Sequence, residues 1–312
     1  MDKIDVAIIR ELTQGGLVLP GKPGFAPSYR EVSMKIGIPF TTVSSRINLM
    51  YKLGVLRGSF FYPNPNLFKL NTAAYTTHIS EELDKADAFR KLKSFDAIIS
   101  AHDFLGRMAW ITFVFSDEQD LERKLSALKK IAGAEGILSR IPFPPCTDSF
   151  SKSEALLMLH LTTKGLESYA GLARNLETST RTLVRRMSKI AKENMILSIP
   201  NVDYSAMEGS VPADLLFFFA NEQARATGEP KILELVKDYV IFGALFDIVG
   251  MCSLILPNAV LLKEIEGKVK QIDGVMQSYI EIVVEHFHQP KILAECLEKE
   301  IQGRSKSNIV RA

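Results

Sequence analysis

Hydrophobic positions along this chain recur with two periods, one typical of helices and one typical of strands. Near the N-terminus, apolar residues spaced three and four apart predict helices over 4–12, 28–36 and 39–52. Ser28 and Glu31 stand at the spacing of a capping box, which marks the start of the second helix. Three short helices with a tight turn between the last two predict a helix-turn-helix unit.

The same pattern returns about 140 residues later, with helices predicted over 152–162, 168–175 and 179–193. At that offset the apolar positions of the third helices correspond, for example Val43 with Leu183. Upstream the offset is 148, which places an eight-residue insertion in the Pro- and Gly-rich stretch 15–27 of the first copy. Residues 55–62 alternate loosely and predict a short hairpin or wing, so each copy is interpreted as a winged helix-turn-helix.

Between and after these units lie two stretches in which strands and helices alternate. In the first, strands are predicted over 70–79, 97–101, 108–115 and 136–141, with helices over 81–92 and 117–131. In the second, strands are predicted over 215–220, 240–248, 251–256 and 275–284, with helices over 231–239 and 259–272, and a further helix over 292–301. Both follow the order β–α–β–β–α–β of a ferredoxin-like unit.

The predicted fold class is therefore α+β, with two winged helix-turn-helix domains alternating with two ferredoxin-like domains. The predicted domains are 1–64, 65–148, 149–208 and 209–312, the last with a C-terminal helix. A ferredoxin-like sheet carries helices on one face and usually buries the other by pairing. We expect self-association through these sheets, either within one chain or between two chains.

Composition and charge narrow the classes of function. The 312 residues are 46% hydrophobic and 24% charged, which excludes disorder, and the three widely spaced cysteines fit neither a disulfide framework nor a zinc site. No apolar run is long enough for a membrane span and no signal peptide is evident, so a cytoplasmic protein without a membrane partner is expected. Net charge alternates, with +5 over 1–70, +4 over 151–200 and −8 over 201–302. Basic modules suit a polyanion such as double-stranded DNA.

The third helices carry the strongest functional signal, because the second helix of the turn enters the major groove in this motif. Residues 179–192 hold five basic residues and no acid, whereas 39–52 hold only two charges. Helical geometry places Arg181, Arg185, Lys189 and Lys192 opposite the buried face. Arg46 and Arg186 lie at matching positions on the edge of that face, where a guanidinium could reach a phosphate or brace the second helix, and the phosphate contact is the favoured interpretation. The residues predicted to contact DNA are Thr41, Thr42, Ser45, Arg46, Asn48 and Lys52 in the first unit, and Arg181, Arg185, Arg186, Lys189 and Lys192 in the second.

Several of these motifs resemble one known family. Asp2-Lys3-Ile4-Asp5, Val43-x-x-Arg46-Ile47 and Gly54-Val55-Leu56 are similar to the N-terminal half of the leucine-responsive regulator (Lrp/AsnC) family. Asp103 and Asp247 correspond to the Asp of that family's Gly-x-x-Asp turn, although the preceding Gly is missing in both copies. The resemblance covers the whole chain as two tandem copies, whereas the family usually has one copy of each domain.

The resemblance implies a transcription regulator whose ferredoxin-like domains assemble oligomers and bind a small-molecule effector, often an amino acid. The residues that it places in the effector site are Asp103, Gly106, Asp247 and Gly250. No cofactor and no metal is expected. His286 and His288 stand on one strand face, and they are interpreted as a solvated strand end in preference to a two-histidine metal site.

Two alternatives to a DNA-binding regulator stay open. The sequence contains no catalytic motif, so no enzyme is expected. Some Lrp-like proteins, however, decarboxylate siroheme, which needs His and Arg in the cleft of the α/β domains. His102, Arg107 and Arg140 are offered for that role in the first half, with almost nothing comparable in the second. The other alternative is a sensor or scaffold whose helical modules bind protein.

Overall fold

The computed structural model describes residues 1–13, 27–147 and 149–309. The first helical unit contains α1 (Lys3–Thr13), α2 (Tyr29–Ile36) and α3 (Phe40–Lys52), followed by β1 (Leu56–Pro63). Ser28 caps α2 and forms the expected capping box with Glu31, and Gly37 ends it at φ 69°. The eight-residue insertion lies almost wholly outside the described residues.

The second helical unit repeats this arrangement with α6 (Lys152–Lys164), α7 (Tyr169–Asn175), α8 (Thr180–Lys192) and β6 (Ile196–Val202). Ser151 and Glu154 form a second capping box, and Ser179 caps α8. The predicted hairpin after the first unit is wrong in one respect. Each unit contributes a single strand, and β1 pairs antiparallel with β6 to form a two-stranded sheet.

The first ferredoxin-like unit follows β1. Its elements are β2 (Asn71–His78), α4 (Lys85–Lys93), β3 (Ile98–Phe104), β4 (Met108–Phe115), α5 (Glu118–Ala132) and β5 (Gly136–Arg140). The second consists of β7 (Val211–Phe219), α9 (Glu222–Val236), β8 (Val240–Phe246), β9 (Val249–Leu256), α10 (Val260–Lys270) and β10 (Val275–His288). The helix α11 (Lys291–Ile309) ends the described chain. The predicted α+β class with these two kinds of domain is confirmed.

Several elements, among them α9, β10 and α11, are longer than the hydrophobic pattern predicts. Helix α9 begins nine residues before the predicted start, because the Asn221 side chain accepts a hydrogen bond from the Ala224 N–H at 2.9 Å and caps it, and Pro230 lies inside the helix. Strand β10 continues to His288. Its first half pairs with β7 and its second half with β3, so it joins the two four-stranded sheets.

The open faces of the two sheets pack against each other within the chain. One hydrophobic cluster contains Trp110 and Val114 of the first sheet together with Leu216 and Met251 of the second. The opposite faces pack on α4 and α5 in the first unit and on α9 and α10 in the second. The duplication therefore supplies, inside one polypeptide, the sheet pairing that a single-copy chain would need a partner for.

Each helical unit is held by the ferredoxin-like part of the chain that comes later in the sequence. Helix α1 lies on β8, with Lys3 Nζ 2.7 Å from Asp238 Oδ2 and Arg10 Nη1 donating to the Lys237 carbonyl at 2.5 Å. Helix α6 packs on α11, whose Leu297 joins the core of the second helical unit. The four modules are thus linked by packing as well as by chain connections.

Candidate nucleic-acid interface

Helix α8 separates its apolar and cationic residues sharply. Leu183, Met187 and Ile190 are buried in the core of the second helical unit. Arg181 and Arg185 are exposed on the opposite side. Lys192, at the end of the helix, is exposed as well. Within the described ranges no ion pair involves any of these three cations. This face can therefore offer guanidinium and ammonium groups to an external anion.

The other two cations of α8 have partners inside the unit. Lys189 Nζ lies 2.8 Å from Glu154 Oε1, and this carboxylate is nearly buried at the start of α6. Burial alone would raise the pKa of Glu154, but hydrogen bonds from Lys189 and Ser151 outweigh it and hold this pKa below its ordinary value. Arg186 Nη1 is 3.5 Å from Thr178 Oγ1. Both cations brace the helix, and their predicted contact with DNA stays a prediction.

Helix α3 presents a different surface on the same scaffold. Val43, Ile47 and Met50 are buried, as their period predicts. The exposed polar residues are Thr41, Ser45, Asn48 and Lys52, and Thr42 is half-buried. Large apolar side chains also reach solvent here, with Phe40 47%, Leu49 48% and Leu53 60% exposed. This helix offers hydroxyl, amide and apolar groups, but little positive charge.

Arg46 is tied to the first helix of its own unit. Its Nη1 lies 2.8 Å from Asp2 Oδ2 and 3.1 Å from Asp5 Oδ1, and its side chain is 33% exposed. These two carboxylates compensate its charge and raise the pKa of the guanidinium, first through the hydrogen bond that Arg46 donates to Asp2. A phosphate would have to compete with both of them, so the phosphate role assigned to Arg46 stays a prediction.

The four residues assigned to an effector site fall into two separate turns. Asp103 lies at the end of β3, where its Oδ1 is 2.6 Å from Lys85 Nζ, and burial raises the pKa of this carboxyl despite the lysine. Gly106 follows in the turn to β4, and Asp247 occupies the β8–β9 turn with φ 54°. Gly250 lies in β9. No hydrogen bond or ion pair in the described segments joins the two sets, and their effector role stays a prediction.

A cleft between the sheets holds residues that the sequence analysis judged wrongly. His286 and His288 do not form a solvated strand end, because β10 runs on beside β3 and carries both rings into the cleft. His102 faces them from β3, with its ring centroid 5.9 Å from that of His286. The second half of the chain therefore contributes two of the three imidazoles. Only the pairing of β10 with β3 brings them together, and no local pattern signals it.

The two arginines proposed to accompany His102 lie elsewhere. Arg107 donates from Nε to the Ile79 carbonyl at 2.8 Å and from Nη2 to the Leu83 carbonyl at 2.7 Å. Arg140 donates to Glu118 at 2.7 Å. Cys252 of β9 is fully buried, and burial raises the pKa of its thiol to about 12. In the part of the chain that is described, no helix is both long and apolar enough to cross a membrane.

Comparison with known proteins gives two kinds of similarity, and no family model matches the sequence. An uncharacterised HTH-type transcriptional regulator of Pyrococcus horikoshii is 28% identical over 145 residues, which are 45% of this chain and 82% of the relative. A second such regulator, from Pyrococcus abyssi, is 29% identical over a stretch of the same length. Most of each of these regulators thus corresponds to about half of this chain.

The similarity of fold extends over the entire length. The siroheme decarboxylase NirDL aligns with 98% of this chain and 100% of its own, at 11% identity and a TM-score of 0.53. Its complex with an iron-uroporphyrin III analogue gives a TM-score of 0.54 at 12% identity. At this identity the likeness concerns the fold alone. This full-length likeness of fold, together with the similarity in sequence to HTH-type regulators over about half of the chain, agrees with the predicted duplication of both domain types.

Proposed function

We propose that the protein is a sequence-specific double-stranded DNA-binding regulator of transcription. The observation that carries the proposal is the exposed cationic face of α8, where Arg181, Arg185 and Lys192 have no ionic partner among the described residues. The similarity in sequence to HTH-type transcriptional regulators supports the same reading. Arginine and lysine at these positions can bind guanine edges or phosphates of the major groove.

The two third helices differ, so the DNA target is asymmetric. Helix α8 supplies most of the electrostatic affinity, and α3 reads A·T-rich edges through Asn48 and its threonines. Thymine methyl groups would meet the exposed apolar side chains of α3, such as Leu49. Two unlike half-sites about one helical turn apart are the geometric default for such a pair. The proposal includes the predicted division of the chain into four domains, with boundaries after residues 64, 148 and 208.

Selection from a pool of random duplexes tests the proposal directly. The intact chain should enrich one asymmetric sequence, and its affinity for that sequence should fall with salt at a log–log slope of about −0.9 per phosphate contacted. The double variant Arg181→Gln/Arg185→Gln should bind about 100-fold more weakly, because each contact contributes roughly 1–3 kcal/mol. No enrichment, or a flat salt dependence, would count against a DNA-binding function.

The control is Lys129→Gln/Lys130→Gln, which removes the same charge from the exposed side of α5. It should change the affinity by less than about threefold, because surface charges outside the interface act only through screened long-range fields. If both double variants weaken binding equally, the effect is one of net charge and α8 is not the reading helix.

A siroheme decarboxylase-type enzyme is the second candidate, favoured by the full-length fold similarity and by three imidazoles in one cleft. Such a substrate carries several carboxylates, and within the described residues no Lys or Arg lines this cleft. The candidate predicts a Soret shift when siroheme is added to the wild type and to His78→Ala, whose imidazole is exposed, but none with His286→Ala. Absence of a shift in the wild type removes this candidate.

A further inference from the structure

The cleft between the two sheets is bounded by elements of all four modules. Tyr62 of β1 and Val202 of β6 come from the helical units, His102 of β3 from the first sheet, and Ser253 and His286 from the second. It has about 950 Å³ of free space including its open mouth, a size typical of small-molecule sites.

Aromatic side chains dominate the wall. They are Tyr62, Trp110, Phe143, Tyr204, Phe242 and Phe246. Their ring faces favour flat partners through stacking and edge contacts. A cavity with this lining, interrupted by a few hydrogen-bonding groups, has the character of a small-molecule site.

Several polar groups of the cleft are joined by hydrogen bonds, and the imidazole of His286 is not among them. His102 Nδ1 lies 2.5 Å from Asp214 Oδ2, and Ser253 Oγ donates to Asp214 Oδ1 at 2.7 Å. The Tyr62 hydroxyl hydrogen bonds to Nδ1 of His288. His286 has ring contacts with His102, Tyr204 and His288, yet makes no hydrogen bond within the described ranges. A ligand in the cleft could therefore form a hydrogen bond with a ring nitrogen of His286.

The electrostatics of the cleft disfavour anions. Burial, and secondarily His102, lowers the pKa of His286 to about 4, and burial holds the pKa of His288 well below its ordinary value, so both rings are neutral at pH 7. Among the described residues no Lys or Arg lines the cleft, while the carboxyl group of Asp214 stands directly behind His102 and Ser253. A carboxylate entering here would lose its hydration without gaining a counter-charge.

We propose that this cleft is a binding site for an uncharged, flat, ring-containing small molecule that stacks on the aromatic wall and hydrogen bonds to His286. The site is distinct from the turns that contain Asp103 and Asp247, and it does not depend on DNA binding. The expected ligand also differs from a polycarboxylate tetrapyrrole, because among the described residues the cleft has no Lys or Arg that could pair with carboxylates.

Trp110, the single tryptophan of the chain, lines the cleft and provides a fluorescence signal for binding. The probes are coumarin and quinoxaline, with coumarin-3-carboxylate and quinoxaline-2-carboxylate as their anionic counterparts. On the full chain at pH 7.5, at least one uncharged probe should quench Trp110 saturably, and its carboxylate should bind at least tenfold more weakly. Failure of both uncharged probes, or equal binding of the anions, overturns the proposal.

Two variants locate the binding. Ser100→Phe fills the cleft from β3 and should lower the affinity for the probe at least tenfold. Gln119→Phe, on the exposed side of α5, should leave this affinity unchanged. If Ser100→Phe does not fold, His286→Ala serves instead, because it removes the proposed hydrogen-bond partner and should also weaken binding. Unchanged affinity in the folded cleft variant shows that the probe binds elsewhere and overturns the assignment.

Discussion

The two helix-turn-helix units are built on one pattern of buried residues and differ almost completely on their surfaces. Val43, Ile47 and Met50 of α3 are buried, as are Leu183, Met187 and Ile190 of α8. The exposed side of α3 is apolar and hydroxyl-rich, while that of α8 is cationic. The core therefore constrains every third or fourth residue after a duplication, and the remaining positions are free to acquire separate roles.

The partners of the cations reinforce this contrast. In the first unit Asp2 and Asp5 bind Arg46, which leaves Lys52 as the other cation of α3. In the second unit Glu154 binds Lys189, yet the four further cations of α8 have no ionic partner in the described part of the chain, and Arg186 hydrogen bonds only to the hydroxyl of Thr178. The same kind of internal ion pair thus compensates half of the positive charge of α3 and only a fifth of the positive charge of α8.

Truncating the shared core should have the largest effect. Ile47→Ala and Met187→Ala each delete a buried side chain, at 0% and 5% exposure, and each should lower the free energy of unfolding by about 2–5 kcal/mol. Denaturant unfolding followed by circular dichroism measures this. The exposed controls Ser45→Ala and Ser188→Ala should stay within about 0.5 kcal/mol of the wild type. A core variant inside that range would show that one unit does not use its predicted core.

Arg185→Ala should have the next largest effect, and on DNA affinity instead of folding. The expected loss is about 1–3 kcal/mol for the selected duplex if the guanidinium contacts a base edge, and the salt slope should lose about 0.9 if it contacts a phosphate. Fluorescence anisotropy at several salt concentrations separates these two outcomes. An affinity and a slope equal to those of the wild type would remove Arg185 from the interface.

Asn48→Ala tests the proposed contribution of α3 to DNA binding. It should lower affinity by about 1 kcal/mol and relax the preference for A·T at one position, without altering the salt slope, because an amide carries no charge. Competition between duplexes that differ at single base pairs measures the preference. If Asn48→Ala costs more than Arg185→Ala, the assignment of the two helices is reversed.

The Glu154–Lys189 pair should give the smallest effect, and one that depends on pH. The pKa of Glu154 is lower in the folded chain than its ordinary value near 4.5, so its contribution is present above that pH and disappears as the pH falls through the folded value. Glu154→Gln should therefore cost about 1 kcal/mol at pH 7 and nothing in strong acid. Unfolding curves at pH 7 and pH 3 check the sign, with Glu122→Gln on the exposed side of α5 as the control, which should stay within about 0.5 kcal/mol of the wild type. A cost that grows toward acid would contradict the ion pair.

Local signals predicted most elements within a few residues. Capping residues such as Ser28 and Ser179 mark helix starts because their side chains hydrogen bond nearby backbone N–H groups, a property of the neighbouring sequence alone. The hydrophobic pattern places the start of α9 too late because residues 222–230 contain only two small apolar residues, although the cap at Asn221 is present in the sequence. The candidate DNA contacts could also be predicted from local sequence, because the helical period within α3 and within α8 separates the buried side of each helix from its exposed side.

The sequence by itself determined most of the elements, their duplication and the unequal charge of α3 and α8, because each of these depends on residues that are close together along the chain. Only the tertiary structure decided that β1 pairs with β6, that β10 passes from one sheet to the other, and that Arg46 faces Asp2 and Asp5. It also brought His102 beside His286, residues 184 positions apart. Such contacts depend on how whole faces are buried against each other, and strand pairing between distant segments leaves no periodic trace in either segment.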